Sequence, residues 1–416
     1  MTRWFAQCSA VAVALLVWSG PGLGQTNAPY EGFLYGRITT LDGSVHEGRL
    51  RWGNGEEALW SHYYNGRKTE NHWAEHAPEE ERPAEHTSVG AFGFELLSWR
   101  SARSLERPFM TRFGDIARIE TSLRTVHVTR KSGDVVALNR FEADDLADGV
   151  RVFDATGETA VIDEWQIRAI EFLPAPTAQP SADPLFGTVR TSTGDFTGLL
   201  QWNREQSLSS DELVRPTDAG ELRVRFDSIQ SITPRTPDSI SIAFVDGRTT
   251  ELHSTAKRNR DHRGLYVDDA RYGRVLVSWS AVERVDFHGD GQAPSYNDFP
   301  PGRPLSGTVV TRDNRRVTGR LVFDLDEAET TDTLDAPSDG VDYTIPFGLV
   351  SSIVVPDPQS EEFVPADVRL SNGEALRLEQ AGDLAEWNGG MLIFSDSAAS
   401  EYVPWPNVAR VDFDHD

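Results

Sequence analysis

A short phrase that recurs three times constrains the fold of this chain more than any other feature. It reads QIRAIEF from Gln166, AVERVDF from Ala281 and NVARVDF from Asn407. Self-similarity within one chain is the sequence signature of a repeat architecture. The 416-residue chain is therefore expected to contain the same structural unit three times.

Each of these closing phrases follows a similar segment, and we call the two together the B half. The preceding segments read VHVTRKSGDVVALN, ISIAFVDGRTTELH and ADVRLSNGEALRLE. In each segment alternating apolar residues flank a central pair, SG, DG or NG, and tight hairpin turns need the positive φ that Gly and Asn tolerate. Each B half therefore predicts a β-hairpin, a brief turn and a last strand.

A different segment, the A half, precedes each B half. It begins with GRITT, GTVRT or GTVVT and ends with GRLRW, GLLQW or GRLVF. A pattern Phe-x-x-[Ile/Val]-x-x-Ile follows it, from Phe113, Phe226 and Phe347. These repeated apolar residues are expected to form the core. The order A-B thus occurs three times, and the Pro-rich segments 173–185 and 288–304 separate the three pairs.

With its short strands, tight turns and closing strand, each half resembles the SH3-like barrels, the Sm-like group especially. The chain also looks like uncharacterised secreted bacterial proteins that carry such barrels in series. The resemblance implies an all-β fold of three tandem pairs of small SH3-like barrels, about six in all, at residues 30–172, 185–287 and 305–416. Sm-like proteins bind RNA through a loop with an Asp-x-aromatic-x-Asn pattern, which the B halves lack, so RNA binding is not carried over.

The first 24 residues predict a cleaved signal peptide. Arg3 is their only charge, residues 9–18 form an apolar run, and Gly22 and Gly24 suit a cleavage site. The apolar run is shorter than the about 20 residues that span a bilayer, so no stable membrane insertion is expected after cleavage. A short membrane anchor is the alternative. The mature protein would be exported, periplasmic or extracellular, and the only cysteine, Cys8, would leave with the signal.

The charge and the motifs exclude several function classes. The formal net charge of −25 repels nucleic acid through the mean field of the chain, so no nucleic-acid partner is expected. The chain has no G-x-S-x-G elbow, no P-loop and no dinucleotide-binding glycine fingerprint. A hydrolase that uses paired carboxylates is not excluded, because the test for such a pair is separation in space.

The first pair carries a long insertion at about residues 56–110 that the other pairs lack. Loops of this length are usually functional or disordered. Because Trp and Tyr dominate binding hot spots, its aromatic residues predict a surface that binds a protein or a glycan of the cell envelope. An alternative is that the insertion caps an open barrel end and its aromatic residues are satellite core. The candidate binding residues are Trp60, Tyr63, Tyr64, Trp73 and Trp99.

The same insertion holds four of the ten histidines in the chain. His72 and His76 are four residues apart, on one face of a helical turn, and a zinc site needs three or four such ligands. No other cofactor is expected. The candidate ligands for a divalent metal are His62, His72, His76 and His86.

Together these observations favour an exported, acidic, non-enzymatic scaffold or binding protein with its contact surface on the insertion. The alternative is a secreted hydrolase that acts on glycans or peptides in a cleft between barrel pairs.

Overall fold

The computed structural model describes most of the chain from residue 32 to residue 415. The predicted signal peptide, residues 1–24, lies outside the described residues. No helix in the described part is long and apolar enough to cross a membrane. Only the backbone is described for residues 86–88, 98–100, 216, 217 and 220. Within the range, the description omits residues 54–56, 61–62, 79–85, 89–97, 101–106, 144–145, 147–148, 177–182, 218–219, 237–238, 254–262, 290, 358–363 and 396–399.

The fold is all-β, as the sequence predicts, and the same order of strands occurs in three modules, at residues 35–172, 186–288 and 306–413. The first module contains β1 (Tyr35–Thr40), β2 (Val45–Trp52), β3 (Tyr63–Arg67), β4 (His86–Ser88), β5 (Ser98–Arg100), β6 (Pro108–Arg112), β7 (Ile116–Thr121), β8 (Thr125–Arg130), β9 (Val135–Asn139), β10 (Val150–Phe153), β11 (Thr159–Ile162) and β12 (Ile167–Phe172). The second contains β13 (Phe186–Thr191), β14 (Gly194–Trp202), β15 (Glu212–Thr217), β16 (Gly220–Arg225), β17 (Ile229–Thr236), β18 (Ser239–Phe244), β19 (Thr249–His253), β20 (Leu265–Asp269), β21 (Gly273–Val277) and β22 (Val282–His288). The third contains β23 (Ser306–Thr311), β24 (Arg316–Phe323), β25 (Thr333–Ser338), β26 (Val341–Pro346), β27 (Val350–Val354), β28 (Ala366–Leu370), β29 (Ala375–Leu378), β30 (Met391–Phe394), β31 (Glu401–Val403) and β32 (Val408–Phe413).

Short 3₁₀ helices mark the turns between strands. In each module one of these helices begins with a Phe. Another ends at the first residue of the closing phrase. They lie at Ala74–His76, Phe113–Asp115, Arg140–Glu142, Glu164–Gln166, Phe226–Ser228, Trp279–Ala281, Tyr296–Asp298, Phe347–Leu349, Gly382–Leu384 and Trp405–Asn407.

The strands of the A half and the B half belong to one sheet in each module. The strand order is β11-β10-β2-β1-β12-β7-β8-β9 in the first module, and the other two repeat it with their own strands. The recurring closing phrase forms the strand at the centre of this order, β12, β22 or β32, which pairs with the first strand of its own A half. Because no sheet closes on itself among the described strands, the strand order does not confirm a separate barrel for each half.

The predicted hairpins of the B halves are confirmed. β8 pairs with β9, β18 with β19 and β28 with β29, all antiparallel. Gly133, Gly247 and Gly373 in their turns have φ of 92°, 87° and 90°, which is the left-handed region that favours glycine. The repeated residues Phe113, Phe226 and Phe347 are buried, as expected of a core.

A further hairpin, which we call the module hairpin, precedes the Phe of each module. It consists of β3 with β6, β15 with β16, or β25 with β26. In the third module two residues join its strands, and Asp339 and Gly340 there have φ of 50° and 80°. In the first module residues 68–107 stand in place of that turn, so the insertion lies at the tip of a module hairpin.

The segment between the second and third modules packs against the first module. The Tyr296 hydroxyl donates a hydrogen bond of 2.8 Å to the backbone oxygen of Ile116, and Lys131 donates one of 3.0 Å to the oxygen of Phe299. Tyr296 and Phe299 belong to the core cluster of the first module. The segment that connects the second and third modules therefore also packs against the first.

Candidate functional site: the apolar face of the first module

Three of the five aromatic residues predicted to bind a partner are core. Trp60, Tyr63 and Tyr64 are buried. Trp73 is half-buried, and its ring centroid lies 5.8 Å from that of Phe394 in the third module. The side chain of Trp99 lies outside the described residues. The placement of the first four favours the alternative in which the insertion is a cap.

The candidate metal ligands do not form a cluster in the part of the chain that the structure describes. His72 and His76 are exposed. The His76 ring packs edge-on against Phe394, with 5.3 Å between the centroids. His62 and the side chain of His86 lie outside the described residues. Among the described residues no three His, Cys, Asp or Glu side chains are placed to hold a metal ion.

Polar contacts join the start and the end of the insertion to the third module. Lys68 forms an ion pair of 2.5 Å with Asp326, and the Asn71 amide donates a hydrogen bond of 2.9 Å to the backbone oxygen of Leu325. Arg107 lies 3.5 Å from the Asp324 carboxylate. The described part of the insertion is thus a clamp between the first and third modules.

Beneath this clamp lies a group of carboxyl groups with shifted acidity. Burial raises the pKa of Asp324 to about 6, and it raises the pKa values of Glu327 and Asp383 well above those of free side chains. Lys68 and Arg107 supply the facing positive charge. A substrate or cation would have to displace these two side chains to reach the carboxylates, so we interpret the group as part of the interface between modules.

Exposed apolar side chains are concentrated on the first module. Seven of the ten large apolar residues that are exposed in the described chain belong to it. Monomeric proteins rarely expose contiguous apolar patches, and such patches mark interaction sites. The seven are Leu41, Val45, Leu123, Val135, Phe141, Val161 and Trp165.

Trp165 is exposed because the first copy of the repeat is shifted by one residue. In the other modules Trp279 and Trp405 begin the 3₁₀ helix and pack inward, each 5.5 Å from an aromatic ring of its own core. In the first module Glu164 begins the helix, and Trp165 comes one residue later with 48% of its surface exposed. The sequence contained this signal, since Trp165 is the one tryptophan out of register with its two counterparts.

Contacts with Arg140 and Asp163 hold Trp165 in place. The Arg140 guanidinium lies 4.3 Å from the ring centroid, and Arg140 itself is buried and donates a hydrogen bond of 2.8 Å to the Glu164 oxygen. The Asp163 carboxylate accepts a hydrogen bond of 3.0 Å from the Trp165 amide and closes a capping box with Gln166. The ring is therefore exposed and pre-organised.

The ring borders a cleft of about 340 Å³ between the β1–β2 turn and β11. Leu41 and Val161, which are 65% and 71% exposed, line the cleft together with Trp165. The centroid of the Phe141 ring lies 6.4 Å from that of the Trp165 ring. We call Leu41, Phe141, Val161 and Trp165 the apolar face. Sequence analysis missed its first three members, because single apolar residues in turns and at a strand edge show no pattern.

Polar side chains line the rest of the cleft, among them Asp42 and His46. Hydrogen bonds from Thr40 and Ser44 lower the pKa of the Asp42 carboxyl to about 2, so it is an anion at every physiological pH. The arrangement offers a cleft with a mixed polar and apolar lining that includes a negative charge, which suits a ligand with an apolar group beside a donor or a cation.

No family model, curated protein or solved structure matches this chain.

Proposed function

We propose that the protein is an exported, non-enzymatic binding or scaffold protein that contacts its partner through the apolar face of the first module. The observation that carries the proposal is the outward placement of Trp165 beside Arg140, whereas the corresponding tryptophans of the other two modules pack against core aromatic rings. Trp is the residue most enriched in hot spots, and a ring that is already fixed loses little conformational entropy on binding.

A protein partner suits this face better than a glycan does. Leu41 and Val161 are aliphatic and exposed, and together with the Trp165 and Phe141 rings they offer apolar area to a partner. The strand edge of β11 beside the cleft offers backbone groups to an extended chain. An apolar side chain of the partner would enter the cleft.

The remaining modules would act as the scaffold. We infer that each module is a curled unit related to the SH3-like barrels, and that cleavage of residues 1–24 releases the mature protein into the cell envelope or the medium. The contacts among the modules support a rigid body, since the first module contacts the third through Lys68 and Arg107 and holds the intervening segment through Lys131.

An affinity experiment with paired variants tests the proposal. The mature protein, tagged, is incubated with an extract of its own cell envelope, intact and as Trp165→Ser with Phe141→Ser. Val245, which is 67% exposed in the second module, gives the matched control Val245→Ser. We expect a captured protein to be lost at least tenfold in the double variant and kept in the control. Equal capture by all three forms, or no capture by the intact form, would overturn the assignment of the face.

A further inference from the structure

In the second module, the strand that corresponds to β11 is β21, and a strand of the third module pairs with it. Its edge strand β21 pairs antiparallel with β26 of the third module. In that register Leu276 lies opposite Asp342, and Arg274 lies opposite Thr344. A module hairpin from one module thus extends the sheet of another, which is β-augmentation within a single chain.

β11 is the same edge in the first module, and it is open. The hairpins β10–β11 and β20–β21 have matching registers, in which Ile162 corresponds to Val277 and Val161 to Leu276. Thr159 and Val161 are exposed, and no strand among the described residues pairs with the outer edge of β11. An exposed strand edge is a template for pairing with another chain.

The module hairpin β15–β16 is the counterpart of β25–β26. In both hairpins a proline of the first strand lies opposite an acidic residue of the second, Pro216 opposite Glu221 and Pro337 opposite Asp342. Within the described chain, β15 and β16 form a sheet of two strands, so the outer edge of β16 has no ladder partner. In the described chain, the outer edges of β11 and β16 therefore both lack a strand partner. The equivalent edges of β21 and β26 pair with each other.

We propose that β11 binds the β15–β16 hairpin of a second copy of this chain, in the register that β21 and β26 show. Val161 would then lie opposite Glu221, and Thr159 opposite Arg223. Because each copy offers both elements, two copies can exchange them reciprocally around a twofold axis. The inference rests on the proposed function, since it names a second copy as a partner at the same face.

Sedimentation equilibrium of the mature protein, from about 1 to 100 μM, tests the inference. We expect a dimer that Val161→Glu weakens at least tenfold, because it places like charges directly opposite each other at Glu221. Val161→Glu combined with Glu221→Arg should restore it, because opposite charges then face each other. Val245→Glu is the control, and unchanged circular dichroism and melting show that each variant folds.

A monomer at every concentration would overturn the inference, and so would a dimer that Val161→Glu leaves intact. A dimer that Val161→Glu weakens but the added Glu221→Arg does not restore would overturn the register. The proposed function is tested separately, by envelope capture with the variant that combines Trp165→Ser and Phe141→Ser. If that capture is lost while the intact protein is monomeric, the partner at the face is another protein and only the second-copy inference fails.

Discussion

Gly187 lies directly opposite Gly198 on the neighbouring strands β13 and β14. A methyl group added to either residue would overlap a backbone carbonyl oxygen, that of Asp286 at the first and that of Asp268 at the second. Gly36 with Gly48 and Gly307 with Gly319 form the same pair in the other modules. The strands approach so closely at this point that a side chain does not fit, which explains why both glycines recur in every A half.

Substitution of one glycine of this pair should destabilise its module. Gly198→Ala would force the backbone of β20 to move, and overpacking of this kind costs about 1–3 kcal/mol. Urea denaturation of the mature protein measures the loss. Gly289→Ala is the control, because Gly289 is exposed and an added methyl group there meets nothing within 4 Å. Equal stability of both variants would contradict the close approach.

Removal of the Lys68 charge should open the clamp between the first and third modules. Lys68 and Asp326 are only 17% and 10% exposed, and loss of one partner of a buried pair costs about 3–5 kcal/mol. We expect Lys68→Met to lose this much at pH 7 in denaturant titrations and less at pH 4.5, where the neighbouring carboxyl groups of Asp324 and Glu327 take up protons. Arg248→Met, which breaks an exposed pair with Asp246, should change little. A similar small loss in both variants would show that the clamp is weak.

The buried carboxyl groups predict a decrease in stability as the pH rises. Burial raises the pKa values of Asp324 and Asp268 to about 6, from ordinary values of 3.8. Between these limits the folded state holds protons that the unfolded state has released, so the free energy of unfolding falls as the pH rises from about 4 to 6.

Urea midpoints measured from pH 4 to pH 7 test this dependence. Asp324→Asn should flatten the slope across that range. The pKa of Asp42 is lowered to about 2, so its stabilising contribution is lost only as the pH falls below about 4, and Asp42→Asn should leave the slope above pH 4 unchanged. An identical slope in the intact protein and in Asp324→Asn would contradict the assignment of the proton to Asp324.

The threefold repeat made the all-β class and the B-half hairpins predictable, because turn glycines and alternating apolar residues report local geometry. It did not reveal that the A and B halves share a sheet. The pairing of β1 with β12 joins residues 127 to 136 positions apart, and no local pattern encodes it. The repeated closing phrase is explained by this pairing, since it forms the central strand of each module.

The candidate site was harder to predict than the fold. The aromatic residues of the insertion were conspicuous, yet Trp60 and Tyr64 belong to the core cluster of the first module. The surface tryptophan was detectable only as a break in the repeat, one residue long, at Trp165. Composition cannot distinguish an exposed Leu41 from a buried one, because the exposure depends on how a turn meets a strand edge.

Replacement of residues 69–106 by a short Gly-Ser turn separates the insertion from the apolar face. The shortened protein should melt at a lower temperature, because the contacts of Asn71 and Trp73 with the third module are lost. It should still capture the partner of the intact protein, since the apolar face lies elsewhere on the first module. Loss of capture by a shortened protein that is still folded would return the contact surface to the insertion.

Site-specific photo-crosslinking tests whether the apolar face contacts a protein partner. A photoreactive phenylalanine derivative is placed at Trp165, at Phe141 or, as the control, at Val245, and the protein is irradiated in its own cells. We expect one protein adduct, identified by mass spectrometry, that forms from the positions of Trp165 and Phe141 and not from that of Val245. Adducts from the control position alone, or none from the apolar face, would contradict this expectation.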